Sequence, residues 1–140
     1  MCFRLWRRCR IRISAIGRIR EELFDGSCGD FAVVEITIVS VIRRYLAALP
    51  AVGIHPSRAV LFGSFARGEA SELSDIDLVV IASEFDGPRD LSLVKALWRA
   101  TVTDDRIEPI PCGEVEWDSG NGRPILEIAR REGITIESEP

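Results

Sequence analysis

No stretch of this chain approaches the roughly 18–20 uninterrupted apolar residues that a membrane-spanning helix needs. Cysteine is sparse: Cys2, Cys9, Cys28 and Cys112 are too few and too scattered for a disulfide scaffold, so a reduced, cytoplasmic protein is expected. Cys112 has no CxxC partner, which removes the usual zinc arrangement. Lysine occurs once, at Lys95, and the lysine and spacing of a P-loop are missing, as is a dinucleotide fingerprint. Histidine also occurs once; His55 precedes Pro56 and reads as a loop residue rather than a catalytic one. There is no internal repeat and no low-complexity tract.

What is present suits one soluble domain. The 140 residues are 46% hydrophobic and 29% charged, enough for a single core and too few for two. The charge is unevenly spread. Residues 1–20 hold Arg4, Arg7, Arg8, Arg10, Arg12, Arg18 and Arg20 with no acid, leaving 11 basic against 22 acidic residues in the rest. So acidic a body is poorly suited to nonspecific nucleic-acid binding, which depends on neutralising phosphates. The basic start has neither the apolar core nor the cleavage site of a secretory signal. Residues 1–30 are therefore read as an extension, disordered or upstream of the true start, and 31–140 as the domain.

Within the domain, helix and strand signals alternate. Ile38, Val41, Ile42, Tyr45, Leu46 and Leu49 recur at helical spacing up to Pro50, predicting a helix over 34–49. Apolar runs predict strands over 58–63 and 75–82. Leu91, Val94, Leu97 and Trp98 predict a helix over 89–101. A third strand is expected over 106–110, with Pro109 and Pro111 placing its end at an edge or bulge. Pro124 starts a helix that Gly133 stops, and 134–137 adds a last strand. The expected fold class is α/β (α+β), a small mixed sheet with helices packed on it. Phe62, Leu97, Trp98 and Trp117 read as core or interface groups, and Gly120-Asn121-Gly122 as a turn.

The chemistry concentrates in Gly63-Ser64-Phe65-Ala66-Arg67-Gly68 and, six residues after that last glycine, Ser74-Asp75-Ile76-Asp77-Leu78. Asp75 and Asp77 stand two apart on a strand, so their side chains leave one face from Cα atoms about 6.6–6.8 Å apart. Two converging carboxylates repel and lose solvation, and a hard divalent cation offsets that cost. Glu108 lies on the next predicted strand and can join them if the two strands are neighbours. Three carboxylates suit two cations roughly 3.5–4 Å apart, an arrangement that serves phosphoryl-type transfer. Asp104 and Asp105 are weaker candidates, placed in the turn before that strand. Gly63 lets a phosphate approach the backbone and Ser64 adds a hydroxyl donor. Arg67 pairs either with phosphate or with an acid such as Glu72.

These residues resemble the nucleotidyltransferase signature of the DNA polymerase β superfamily, and most of all its minimal, stand-alone MNT-type domains. The resemblance covers roughly residues 34–137. It implies transfer of a nucleoside monophosphate from an NTP, ATP first among them, to a hydroxyl of a protein or small molecule. By the same resemblance Asp75, Asp77 and Glu108 are catalytic and hold two Mg²⁺ or Mn²⁺ ions, while Gly63, Ser64 and Arg67 bind the nucleotide phosphates. The family's third carboxylate is often aspartate, so Glu108 is a departure. Only about 30 residues follow Glu108, leaving a helical HEPN-type partner or a homodimer to complete the cleft, as in toxin–antitoxin pairs. Val115, Trp117 and Leu126 are the candidate contact residues. The alternative is a noncatalytic, antitoxin-like module that keeps the fold.

Overall fold

The structure is a computed structural model that describes residues 29–120 and 122–138, with side chains from Thr37 onward. The basic segment 1–28, its three cysteines and Asn121 lie outside the described residues. From Val34 the chain forms one compact unit.

Helix α1 spans Gly29–Ala48, so its start lies upstream of the expected one, within the last two residues of the segment read as an extension. Pro50 does not end the helical path outright. It sits in the first turn of a 3₁₀ segment, Leu49–Val52, where its missing N–H costs nothing. Strand β1 (Arg58–Phe62) runs into the one-turn helix α2 (Ser64–Arg67), and β2 covers Ile76–Ile81. Helix α3 (Leu91–Arg99) is capped by Asp90, whose carboxylate accepts the Ser92 N–H at 2.8 Å. Strand β3 (Ile107–Cys112) follows, then α4 (Glu114–Ser119), α5 (Pro124–Glu132) and β4 (Ile134–Glu137).

The four strands lie in the order β3-β2-β1-β4. β1 pairs antiparallel with β2 and β4, whereas β2 and β3 are parallel, joined by a crossover through α3. The fold class is as expected, a mixed α+β sheet. Pro109 and Pro111 fall on an edge strand, which can do without their missing N–H groups.

Strand alternation divides the core in two. Ile76, Leu78 and Val80 of β2 face α1 and α3, packing with Ile42, Tyr45, Leu49 and Leu97. Val79 and Ile81 face the other way, with Val60, Phe62, Cys112, Leu126 and Ala129. Asp77 has the parity of that second face. Among the described residues no helix is long and apolar enough to cross a membrane.

Tyr45 shows how the first face is locked. Its ring is fully buried and its hydroxyl donates to the Leu97 carbonyl at 2.8 Å, tying α1 to α3. Burial pushes the phenol's pKa above its ordinary value. Tyr45→Phe keeps the packing but removes this hydrogen bond, so a loss of about 1 kcal/mol is expected. Urea unfolding at unchanged m-value measures it; an unaltered midpoint would show that the bond adds nothing.

Candidate active site

The turn after β1 brings the two motif halves together. Gly63 has φ +74° and ψ −151°, a combination in which L residues are strained. It also lacks room for a side chain, because a Cβ there would overlap the Asp77 carboxylate. Glycine is thus required both by its backbone and by its neighbour. The chain then makes a single helical turn, with Arg67 N–H donating to the Gly63 carbonyl at 3.0 Å. Glu69 N–H returns to the Ser64 carbonyl at 2.9 Å, closing the turn. Ser64 is half-buried, and its hydroxyl has no hydrogen bond among the described residues.

The register aligns the carboxylates. Asp77 stands opposite Phe62 on one side and Glu108 on the other, so β2 and β3 are the neighbours that the site requires. Asp75 lies one residue before β2, not inside it; both Asp75 and Glu108 are exposed, and Asp77 is half-buried. The Asp77 carboxyl is held above the ordinary carboxylate range. Burial is the largest cause, followed by repulsion from Glu108 and Asp75; Arg67 opposes the shift and Glu132 adds a little to it. The three predicted acids are therefore electrostatically coupled.

As they stand, no three His, Cys, Asp or Glu side chains among the described residues form a closed metal cage. Two of the three acids, Asp75 and Glu108, are exposed to solvent. The donor set nevertheless fits a hard divalent cation. It consists entirely of carboxylate oxygens, and Asp77 is partly desolvated beside two like charges with no hydrogen bond among the described residues. A cation there would turn the repulsion into shared attraction.

Arg67 realises the acid-pairing option, but not with Glu72. Its Nε donates to Glu69 at 3.0 Å and its Nη1 to Glu132 at 3.0 Å. Glu132, from α5, went unmarked in the sequence because 65 residues separate it from Arg67. Asp104 is set aside as a base: it accepts from the Arg106 backbone N–H, Nε and Nη2 at 3.0, 3.0 and 2.7 Å, which hold its carboxyl below its ordinary range.

Four other side chains singled out in the sequence are placed as follows. Leu126 is not a surface residue, because its side chain fills the core beneath α5. Trp117 is half-buried, with the Arg130 guanidinium 4.7 Å from its ring centroid. Only Val115 of the expected contact trio is exposed, at 70%. Cys112 is a buried thiol pushed up to about 12 by desolvation, so it is inert at neutral pH. A cavity of about 250 Å³ lined by Phe85, Arg89 and Gly113 sits past the C-terminal ends of β2 and β3, away from the carboxylates.

The nucleotidyltransferase domain family model matches residues 40–118, more than half of the chain and all of the site except Glu132. A similar solved structure is that of a candidate nucleotidyltransferase from Sulfolobus solfataricus. It superposes with a TM-score of 0.56 at 15% identity, over 75% of this chain and 84% of that one, a likeness of fold. No curated protein matches the chain.

Proposed function

The chain belongs to the nucleotidyltransferase domain family, and from that premise we propose that it moves a nucleoside monophosphate from Mg²⁺·ATP to a protein hydroxyl. The observation that carries this reading is the packing of Gly63 against Asp77, with Glu108 in register beside it. The contact of Gly63 with Asp77 supports reading this turn as a phosphate seat beside metal ligands.

In this reading Asp75, Asp77 and Glu108 hold two Mg²⁺ ions, with Mn²⁺ able to substitute. When bound, the cations neutralise the triphosphate and the charge that builds on the reacting oxygens. Gly63 admits a phosphate close to the backbone and the Ser64 hydroxyl donates to it. Arg67 directs its remaining N–H groups at the same chain of phosphates. Glu108 accepts the proton of the acceptor hydroxyl. That oxygen then bonds to the α-phosphorus as the bond to the bridging oxygen breaks, and pyrophosphate leaves.

Exposure of Asp75 and Glu108 favours a large acceptor that supplies its own wall to the site. A helical HEPN-type protein in the cytoplasm is the proposed partner and acceptor, with this chain as its antitoxin. Binding is tested by thermal unfolding of the full chain with ATP, with and without Mg²⁺. A ligand bound only by the folded state at 100 times its Kd stabilises by about 2.7 kcal/mol. A rise in Tm that requires both components is expected. No rise with ATP, the other NTPs or Mn²⁺ favours the noncatalytic module instead.

A further inference from the structure

Arg67 is the cation whose field acts on Asp77, yet it stands on a one-turn helix with its side chain 44% exposed. An unrestrained arginine there would lose rotamer freedom when a ligand fixes it, which weakens binding. Two carboxylates restrain it in advance. Glu69 takes Nε and Glu132 takes Nη1, while Nη2 has no partner among the described residues. Glu69 belongs to the same turn and moves with it, so it cannot set where the guanidinium lies relative to the sheet. Glu132 can.

Its position is determined by packing rather than by the ion pair. Helix α5 presses Leu126 and Ala129, both fully buried, onto the second face of the sheet. The helix ends at Glu132, where Gly133 turns extended (φ −75°, ψ 157°), and this close return requires glycine because a Cβ would overlap the Ala129 carbonyl and the Val60 side chain. The chain then enters β4 at once, with Ile134 opposite Leu61 of β1. Two residues after Leu61 comes Gly63. Arg67 and Glu132 are thus anchored to the same end of one strand, and the Glu132 side chain is only 21% exposed.

We propose that Glu132 is a positioning residue, holding the Arg67 guanidinium so that its free Nη2 edge receives a phosphate of the bound nucleotide. The proposal rests on the nucleotide-binding reading above. It also makes a counterintuitive demand. Glu132 is an anion near a polyphosphate, so simple charge repulsion predicts tighter binding once it is removed; positioning predicts weaker binding.

The test is a calorimetric titration of the full chain with Mg²⁺ and α,β-methylene-ATP, which binds without turnover. Glu132→Ala and Arg67→Ala should each weaken binding about tenfold, the scale of one charge-assisted hydrogen bond. The double variant should bind no more weakly than Arg67→Ala alone, a coupling that a merely structural loss would not produce. Glu132→Gln keeps an acceptor oxygen and should retain most of the affinity. Glu132→Lys serves where truncation impairs folding: it should weaken binding although it adds a cation. Wild-type-like or tighter binding by Glu132→Ala or Glu132→Lys, or losses that multiply in the double variant, overturns the proposal. Failure of the wild-type chain to bind at all overturns the nucleotide reading itself, and this inference with it.

Discussion

Gly63→Ala is expected to lose about 1–3 kcal/mol of stability, the usual cost of forcing a side chain into a backbone region open only to glycine. It is also expected to abolish Mg²⁺-dependent nucleotide binding. The two effects have separate causes. At φ +74° and ψ −151° the new Cβ strains its own backbone, and in the same position it meets the Asp77 carboxylate. Asp77 must turn away, carrying off the carboxylate at the centre of the proposed metal set. Gly53→Ala is the control. Gly53 also has a positive φ, +87°, but a Cβ there meets nothing within 4 Å. That variant should lose roughly 1–2 kcal/mol and bind Mg²⁺·ATP like the wild type. Urea unfolding and nucleotide titration on both variants read the two effects. Retention of binding by Gly63→Ala would show that the contact with Asp77 is incidental.

Asp77→Asn should reduce nucleotidyl transfer by at least about 10³-fold, since several kcal/mol of transition-state charge stabilisation depend on ligands of this kind. The same change should leave the metal-free protein more stable at neutral pH. The sign follows from the direction of the shift. The Asp77 carboxyl titrates higher in the folded chain than its ordinary value, because burial and the charges of Glu108 and Asp75 disfavour the anion. The stability it contributes is fully present below the unfolded-state pKa and is lost as pH rises through the folded one. Wild-type stability therefore falls through that window by an amount that Asp77→Asn avoids, and saturating Mg²⁺ should shrink the difference. Denaturation midpoints of both proteins across the window, with and without Mg²⁺, measure it. A variant less stable than wild type at neutral pH would mean that Asp77 is held by favourable contacts rather than repelled.

Much of this site was legible in the sequence because its chemistry is local. Gly63-Ser64 and Asp75-x-Asp77 sit within fifteen residues, and strand periodicity gave the face of Asp77, although Asp75 falls one residue before β2. Glu108 needed one further assumption, that the strands bearing it and Asp77 are adjacent, and the parallel register supplies it. The partners of Arg67 were harder. Glu69 is a near neighbour, but Glu132 reaches the site only through the packing of α5 and the pairing of β4 with β1, neither of which leaves a local pattern. Helix α4 was missed for a similar reason. Its first N–H groups, of Glu114 and Val115, are held by the Asp86 carboxylate, 28 and 29 residues earlier in the chain. Leu126 was misplaced because helical spacing shows that an apolar face exists without showing what covers it. Here the sheet does.

On the proposed reading, the nucleoside monophosphate of ATP passes to the partner only when Asp77 is intact. The most direct measurement incubates the protein and its candidate HEPN-type partner with Mg²⁺ and ATP labelled in either the α- or the γ-phosphate, beside Asp77→Asn. α-Label on the partner and γ-label only in released pyrophosphate are expected, and neither with the variant. Covalent γ-label, or α-label undiminished in Asp77→Asn, would contradict it.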